Sequence, residues 1–516
     1  MPGMTLKYKN KFDIWLEPWK NGVLFLLMLI VAATAQADDQ QTGLTFSPKL
    51  QKAYFEIQKL RLPAARTLID AERNTEAANA FIPYLDNYAD LHFLLISEDK
   101  KAFKLLSQQE SPRLDAVGKL PDNSPYKRFF QAEIRMHWAF AKLKFGNEVS
   151  GSWEIIKAYR LLEENKKLFP EFAPTLKSLG LLHVLIGSIP ENYSWVARML
   201  GMKGNIQQGI QEIRTAAKES QLFRQEAELI DLLLHAYTLQ LLPAHQQRIR
   251  QWPKEQPDNL LLHFFATTVL MKEGNSEEAE VYVNAAPSGS SYIAFPFLEY
   301  LKGEINLQKG DYDRAAKHYN SFLSKYAGFN YIKDSNLKLF MCYWLANRDA
   351  EANVYLHKVK NSGSTIIEAD KFAERIATEF LVKKINSEQK LLYKARYATD
   401  GGYLKTALDL TETVTEKSFP TAEEKAEFNY RKARILQKSG QSAGSIPYYT
   451  RTLALAKDAV AGFGASAALQ MGYISLEKHD KVTATAYFKK AMSFKKHEYK
   501  NSIDNKARAA LTALGQ

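Results

Sequence analysis

The chain has 516 residues, 46% of them hydrophobic and 24% charged, with a formal charge of +12 and a single cysteine, Cys342. That balance fits a folded chain and excludes an intrinsically disordered one; the lone thiol excludes an intrachain disulfide, and the excess of cations favours acidic partners. A chain of this length forms either several domains or one solenoid of stacked repeats, whose size no single core limits.

At the start, Lys7, Lys9, Lys11 and Lys20 precede an apolar run at 23–33 and then Ala35-Gln36-Ala37. A basic region, an apolar core and small residues at a cleavage site are the three parts of a secretory signal peptide. Residues 1–37 are therefore expected to direct export, with cleavage after Ala37. The apolar core falls short of the roughly 20 residues of a permanent span, and the alternative is an uncleaved anchor in the inner membrane. Either way the body lies outside the cytoplasm, in the expected case in the bacterial periplasm, which argues against nucleic acid as a partner. Removing the segment's four lysines and two acids lowers the net charge from +12 to +10.

Residues 38–222 read as an N-terminal helical region. After a polar leader at 38–46, apolar residues three and four apart predict helices at 48–71, 76–82, 84–97, 100–110, 127–145 and 152–168, with a loop at 112–125. No alternating run is long enough to require a sheet. Gly180 and Gly187 then carry the seven-residue spacing of a first helix, but an apolar insertion at 188–204 intervenes before the helix of Gly209. Ile189, Tyr193, Trp195 and Met199 lie in it. One reading is a segment that plugs the core; the other is an apolar docking surface.

From 223 to 364, and again from 387 to 516, one pattern repeats. In the stretch 301–326, Gly303 is small where a second helix must approach, Gly310 and Asp311 break the first helix, and Ala315, Tyr319 and Phe322 form the inner stripe of the second. The turn residue recurs as Gly274, Asn347, Gly402, Gly440 and His479. The second small residue recurs as Ala279, Ala352, Ala407, Ser445 and Ala484, 36 to 39 residues apart except for one gap of 55. This spacing resembles the tetratricopeptide repeat, whose period is about 34 residues, and the resemblance implies an all-α helical-repeat solenoid. The long gap holds an interrupting helix at 365–386, and the chain closes with a capping helix at 505–514.

Two blocks, Gly180 to Pro190 and Met199 to Gln211, and the stretch Asp370 to Leu381 resemble a more particular family, the tetratricopeptide repeat protein 39 family. That resemblance implies a non-enzymatic repeat protein with a loose association with lipid handling, and it carries no catalytic residues over.

No HExxH, no glycine-rich phosphate loop ending in Gly-Lys-Ser/Thr and no Gly-x-Ser-x-Gly elbow occurs. No cofactor and no metal site are expected, and His235 and His245 stand ten residues apart. Cys342, in an apolar run, is expected to be a small buried hydrophobe. The candidate site is the groove of the first helices. Tyr430, Arg434 and Lys438 stand at i, i+4 and i+8, and Arg396, Tyr473 and Glu304 hold positions equivalent to Arg434. Arg396, Tyr430, Arg434, Lys438 and Tyr473 would form a basic aromatic strip suited to a carboxylate or phosphate. The expected function is a scaffold for a protein or peptide partner in the cell envelope. The alternatives are the handling of anionic lipid and a hydrolase with an unrecognised site; the sequence leaves the oligomeric state open.

Overall fold

The computed structural model describes residues 43–189, 195, 197–382, 387–456, 462–495, 497 and 499–515. Among them 25 α-helices follow one another without a strand. The first five are α1 (Pro48–Gln58), α2 (Leu62–Arg73), α3 (Phe81–Ser97), α4 (Lys100–Leu106) and α5 (Glu110–Gly118). Two hairpins come next, α6 (Pro125–Lys144) with α7 (Glu148–Leu168), and α8 (Pro174–Gly187) with α9 (Ile206–Glu219). The helices α10 (Arg224–Tyr237) and α11 (Pro243–Glu255) lead to three more pairs. These are α12 (Leu260–Glu273) with α13 (Ser276–Ala285), α14 (Phe297–Lys309) with α15 (Tyr312–Lys325), and α16 (Ile332–Leu345) with α17 (Asp349–Asn361). A single helix, α18 (Glu368–Val382), precedes the pairs α19 (Ser387–Gly401) with α20 (Leu404–Glu412), α21 (Ala422–Lys438) with α22 (Ser442–Leu455), and α23 (Phe463–Glu477) with α24 (Lys481–Ser493). The last helix is α25 (Lys500–Ala513).

The expected repeat chemistry is visible pair by pair. All six turn residues, Gly274, Gly310, Asn347, Gly402, Gly440 and His479, have positive φ, the left-handed conformation that stops one helix and starts the next. All six second small residues, from Ala279 to Ala484, are buried. Gly303 is small for the expected reason: a Cβ there would lie 2.8 Å from the Tyr319 ring, and one on Gly472 would lie 2.5 Å from the Phe488 ring. Earlier, α8 and α9 cross backbone to backbone, because a Cβ on Gly180 would meet the carbonyl oxygen of Gly209 at 2.6 Å. Cys342 is buried, and burial pushes its thiol pKa well up.

Several boundaries differ from expectation. The helix expected at 48–71 breaks in two at Leu60, whose φ is +62°. Residues 76–80 form turns rather than a helix, and the expected loop after Pro112 is helical to Gly118. Pro112 sits in the first turn of α5, where its missing N–H removes no helical hydrogen bond. The helix α11 begins with Pro243 and contains Pro253, and its prolines hid it from a periodicity reading.

One core cluster runs from Leu50 to Tyr397, and smaller clusters serve the later repeats. Within it, Lys177 is buried between two carboxylates, donating to Glu133 Oε2 and Glu226 Oε1 at 2.7 Å each. Tyr54 donates to the other oxygen of Glu226 at 3.1 Å. This network joins α1, α6, α8 and α10.

The early helices also fold back on the later repeats. Ile293 N donates to Leu60 O at 2.9 Å, Asn330 N donates to Glu98 Oε2 at 3.0 Å, and Lys144 pairs with Glu98. The helix in the repeat gap is docked by Asp370, which accepts from the backbone N–H groups of Tyr331 and Asp334 at 2.7 and 3.0 Å, at the N-terminus of α16. The segment at 1–37 lies outside the described residues, and no described helix is long and apolar enough to cross a membrane.

Candidate partner-binding site

The turn of α12 and α13 rests on the turn of α19 and α20. A Cβ on Gly402 would sit 1.9 Å from the carbonyl oxygen of Gly274, so only glycine allows this approach. That contact sets the last turn of α12, carrying Lys272, against the end of α19, carrying Asp400. Lys438, from the end of α21, reaches the same place: its Nζ donates to Thr399 O at 3.1 Å. Arg434, one turn earlier on α21, donates to Gln437 Oε1 at 2.9 Å and to Gln470 Oε1 at 2.7 Å, both uncharged acceptors. From the far end of the chain, α25 brings Lys506 within the electrostatic reach of both Arg434 and Lys272.

Four cations therefore meet from three helices. Among the described residues, none of them is hydrogen-bonded to a carboxylate. Burial, reinforced by Lys506, pushes the Lys272 ammonium down to about 8, and its charge rests 4.7 Å from the Tyr237 ring centroid. Lys272 keeps open surface, so this burial is enclosure by surrounding chain rather than loss of all water. Lys438 and Lys506 are shifted in the same direction, first by burial and then by Arg434. Ammonium groups that disfavour one another's charge in a partly desolvated recess are held ready for an anion, whose arrival would relieve that repulsion. The nearby carboxylates are Asp400 and Glu273, both exposed.

Of the five groove residues expected from sequence, Arg434 and Lys438 fall in this cluster, and Tyr430 lies beside Arg434 on the same helix face. Arg396 stands one helix away, over the Phe372 and Tyr397 rings, with its Nε 3.7 Å from Asp400. Tyr473 packs on Phe488 within its own repeat, and burial pushes its hydroxyl up to about 12. Glu304 is matched internally, paired with Lys338 at 2.8 Å. Lys272 holds the first-helix position equivalent to Lys438, two residues before its turn glycine, a signal that matching positions to Arg434 passed over, whereas Lys506 lies beyond the last repeat; the winding of the solenoid brings both in.

The apolar insertion divides. Ile189 is buried, as are Ala197 and Met202, and so Ile189 belongs to the core plug rather than to a docking face. Trp195 and Met199 are exposed, at 50% and 70% of their surface. Tyr193 lies outside the described residues.

No protein-family model and no curated protein matches the chain. Among solved structures, the TPR domain of P58(IPK) is similar at 13% identity and a TM-score of 0.22, over 80% of this chain and 96% of that one. Yeast Tom70 is similar at 12% identity and a TM-score of 0.21, over 90% and 89%. Both overlaps are too loose to transfer anything, and the tetratricopeptide-like solenoid stands on the helix pairs described above.

Proposed function

We propose that this chain is a non-catalytic scaffold that holds an acidic segment of a protein partner against Lys272, Arg434, Lys438 and Lys506. The observation that carries the reading is the convergence of these four cations, without a bonded carboxylate, from helices far apart in sequence. A glutamate- or aspartate-rich peptide, or a chain terminus, supplies carboxylates that guanidinium and ammonium groups bind with charge-assisted hydrogen bonds. Tyr430, half-buried on α21, offers a ring face for its apolar parts. The signal-peptide pattern supports a site of action outside the cytoplasm, and a role in assembly or maintenance of the bacterial envelope and the resemblance to the tetratricopeptide repeat protein 39 family belong to the same proposal. The exposed Trp195 and Met199 favour a second reading, contact with an anionic lipid surface.

Fluorescence anisotropy with a labelled hexaglutamate peptide separates the two. Peptide binding that weakens at least tenfold in Arg434→Glu and falls with added salt supports the scaffold. Absence of peptide binding, with attachment to phosphatidylglycerol vesicles that needs Trp195 and Met199, overturns it.

A further inference from the structure

Away from the cationic recess, Asp231 and His235 stand four apart on one face of α10, and His245 lies in the first turn of α11. The chain reversal between these helices brings three donors together, all within 4.8 Å of one another. His235 Nε2 is 3.3 Å from Asp231 Oδ1, His245 Nε2 is 3.0 Å from Asp231 Oδ2, and the two rings stack with centroids 4.5 Å apart. Ligand atoms around a tetrahedral zinc ion with bonds of about 2.0 to 2.1 Å stand about 3.3 Å apart. The edge from Asp231 Oδ1 to His235 Nε2 already has that length, and His245 Nε2 stands at the other oxygen of the same carboxylate.

The surroundings favour a ligating state of His235. Its Nδ1 lies 3.1 Å from the carbonyl oxygen of Gln240, which can only accept, so Nδ1 carries a proton, and a neutral ring held by that bond would turn its Nε2 lone pair toward Asp231. A carbonyl fixing the remote ring nitrogen is the usual outer partner of a metal-bound histidine. Asp231 is buried, and its Oδ1, the oxygen facing that lone pair, accepts no hydrogen bond. A lone pair against a carboxylate oxygen is repulsive unless a proton or a cation comes between them. Arg214, from α9, supplies part of that charge, with Nη2 3.3 Å from His235 Nε2 and Nε 3.3 Å from Asp231 Oδ2. Its side chain is 48% exposed, and an outward swing would open a fourth position to water.

We propose that Asp231, His235 and His245 form a site for a divalent transition-metal ion of the zinc class, with Arg214 occupying its open side when metal is absent. Two imidazoles and a carboxylate suit zinc rather than calcium or magnesium, which prefer all-oxygen shells. A bound ion would fasten α10 to α11 and release Arg214 to solvent. The proposal is independent of the partner-binding reading.

The test is titration of the untagged, chelator-treated full chain with zinc by calorimetry, with cobalt absorption as a reporter of geometry. One equivalent of zinc is expected, with tetrahedral cobalt bands in the visible, both lost in His245→Ala and Asp231→Asn. Arg214→Met removes the competing cation and should bind zinc at least severalfold more tightly, while circular dichroism without metal shows the wild-type helix content. If neither the wild type nor Arg214→Met binds a stoichiometric ion, or if binding survives both ligand substitutions, the site is only a hydrogen-bonded clasp and the proposal is wrong.

Discussion

Replacing Lys177 by methionine should cost more than almost any other single change. The methionine fills much of the same volume but leaves Glu133 and Glu226 facing each other without a cation, both nearly inaccessible. Removing one partner of a buried ion pair costs about 3 to 5 kcal/mol, because the orphaned charge must stay buried or take up a proton. Burial already pushes the Glu226 pKa up to about 7 against the pull of Lys177. Without the lysine, protonation becomes the relief, so the deficit should be large at pH 7.5 and shrink toward pH 5. A solenoid of 25 helices need not unfold in one step, so the reading must be local. Hydrogen exchange of amides in α6 and α8 supplies it: opening free energies there should fall by about 3 to 5 kcal/mol at pH 7.5, with α23 and α24 unchanged. A loss below about 1 kcal/mol, the range of an exposed pair, or a loss independent of pH, would refute this account of the network.

Gly472→Ala should destabilise the α23–α24 pair, because overpacking against the buried Phe488 ring costs about 1 to 3 kcal/mol and exceeds the roughly 1 kcal/mol that alanine gains in a helix. Gly444→Ala, in α22 with open space around its Cβ, should instead stabilise by up to about 1 kcal/mol; hydrogen exchange of amides in α22 to α24 of the two variants checks the contrast. Burial pushes the Asp370 carboxyl up to about 7 from 3.8, so the folded chain holds a proton that the unfolded chain has released. Its contribution to stability is therefore complete below about pH 4 and lost as pH rises toward and through 7. Opening free energies from hydrogen exchange of amides in α16 and α18 at pH 5 and 7.5 should show this slope, and Asp370→Asn should reduce it. Lys272, held down to about 8, should gain amine reactivity between pH 7 and 9, whereas hexaglutamate affinity should decline over the same interval as its charge is lost; an affinity flat across that range would remove Lys272 from the site.

The turns and crossings were legible in the sequence because their chemistry is local. A residue that must adopt positive φ and a glycine beneath a ring seven or more positions away are written within one repeat: Gly310 shows the first, and Gly303 with Tyr319 the second. The curvature of the stack is the sum of small rotations between many repeats, and no short stretch records it. Hence Arg434 and Lys438 could be placed on one stripe from their spacing, and Lys272 shares the register position of Lys438, but nothing in the sequence brings its repeat, or Lys506, beside them. The docking of α18 was hidden for a related reason. Asp370 reads as one more acid on a helix, and only the approach of the α16 N-terminus turns it into a cap. His235 and His245 looked unrelated because a ten-residue separation spans the end of one helix and the start of the next.

The central claim, that the four convergent cations receive an acidic segment, is tested most directly by lysine acetylation of the full chain, mapped by mass spectrometry with and without saturating hexaglutamate. Lys272, Lys438 and Lys506 should become protected together, while Lys405, 91% exposed on α20, reacts equally in both samples. Undiminished reactivity at all three lysines with peptide bound would contradict the account.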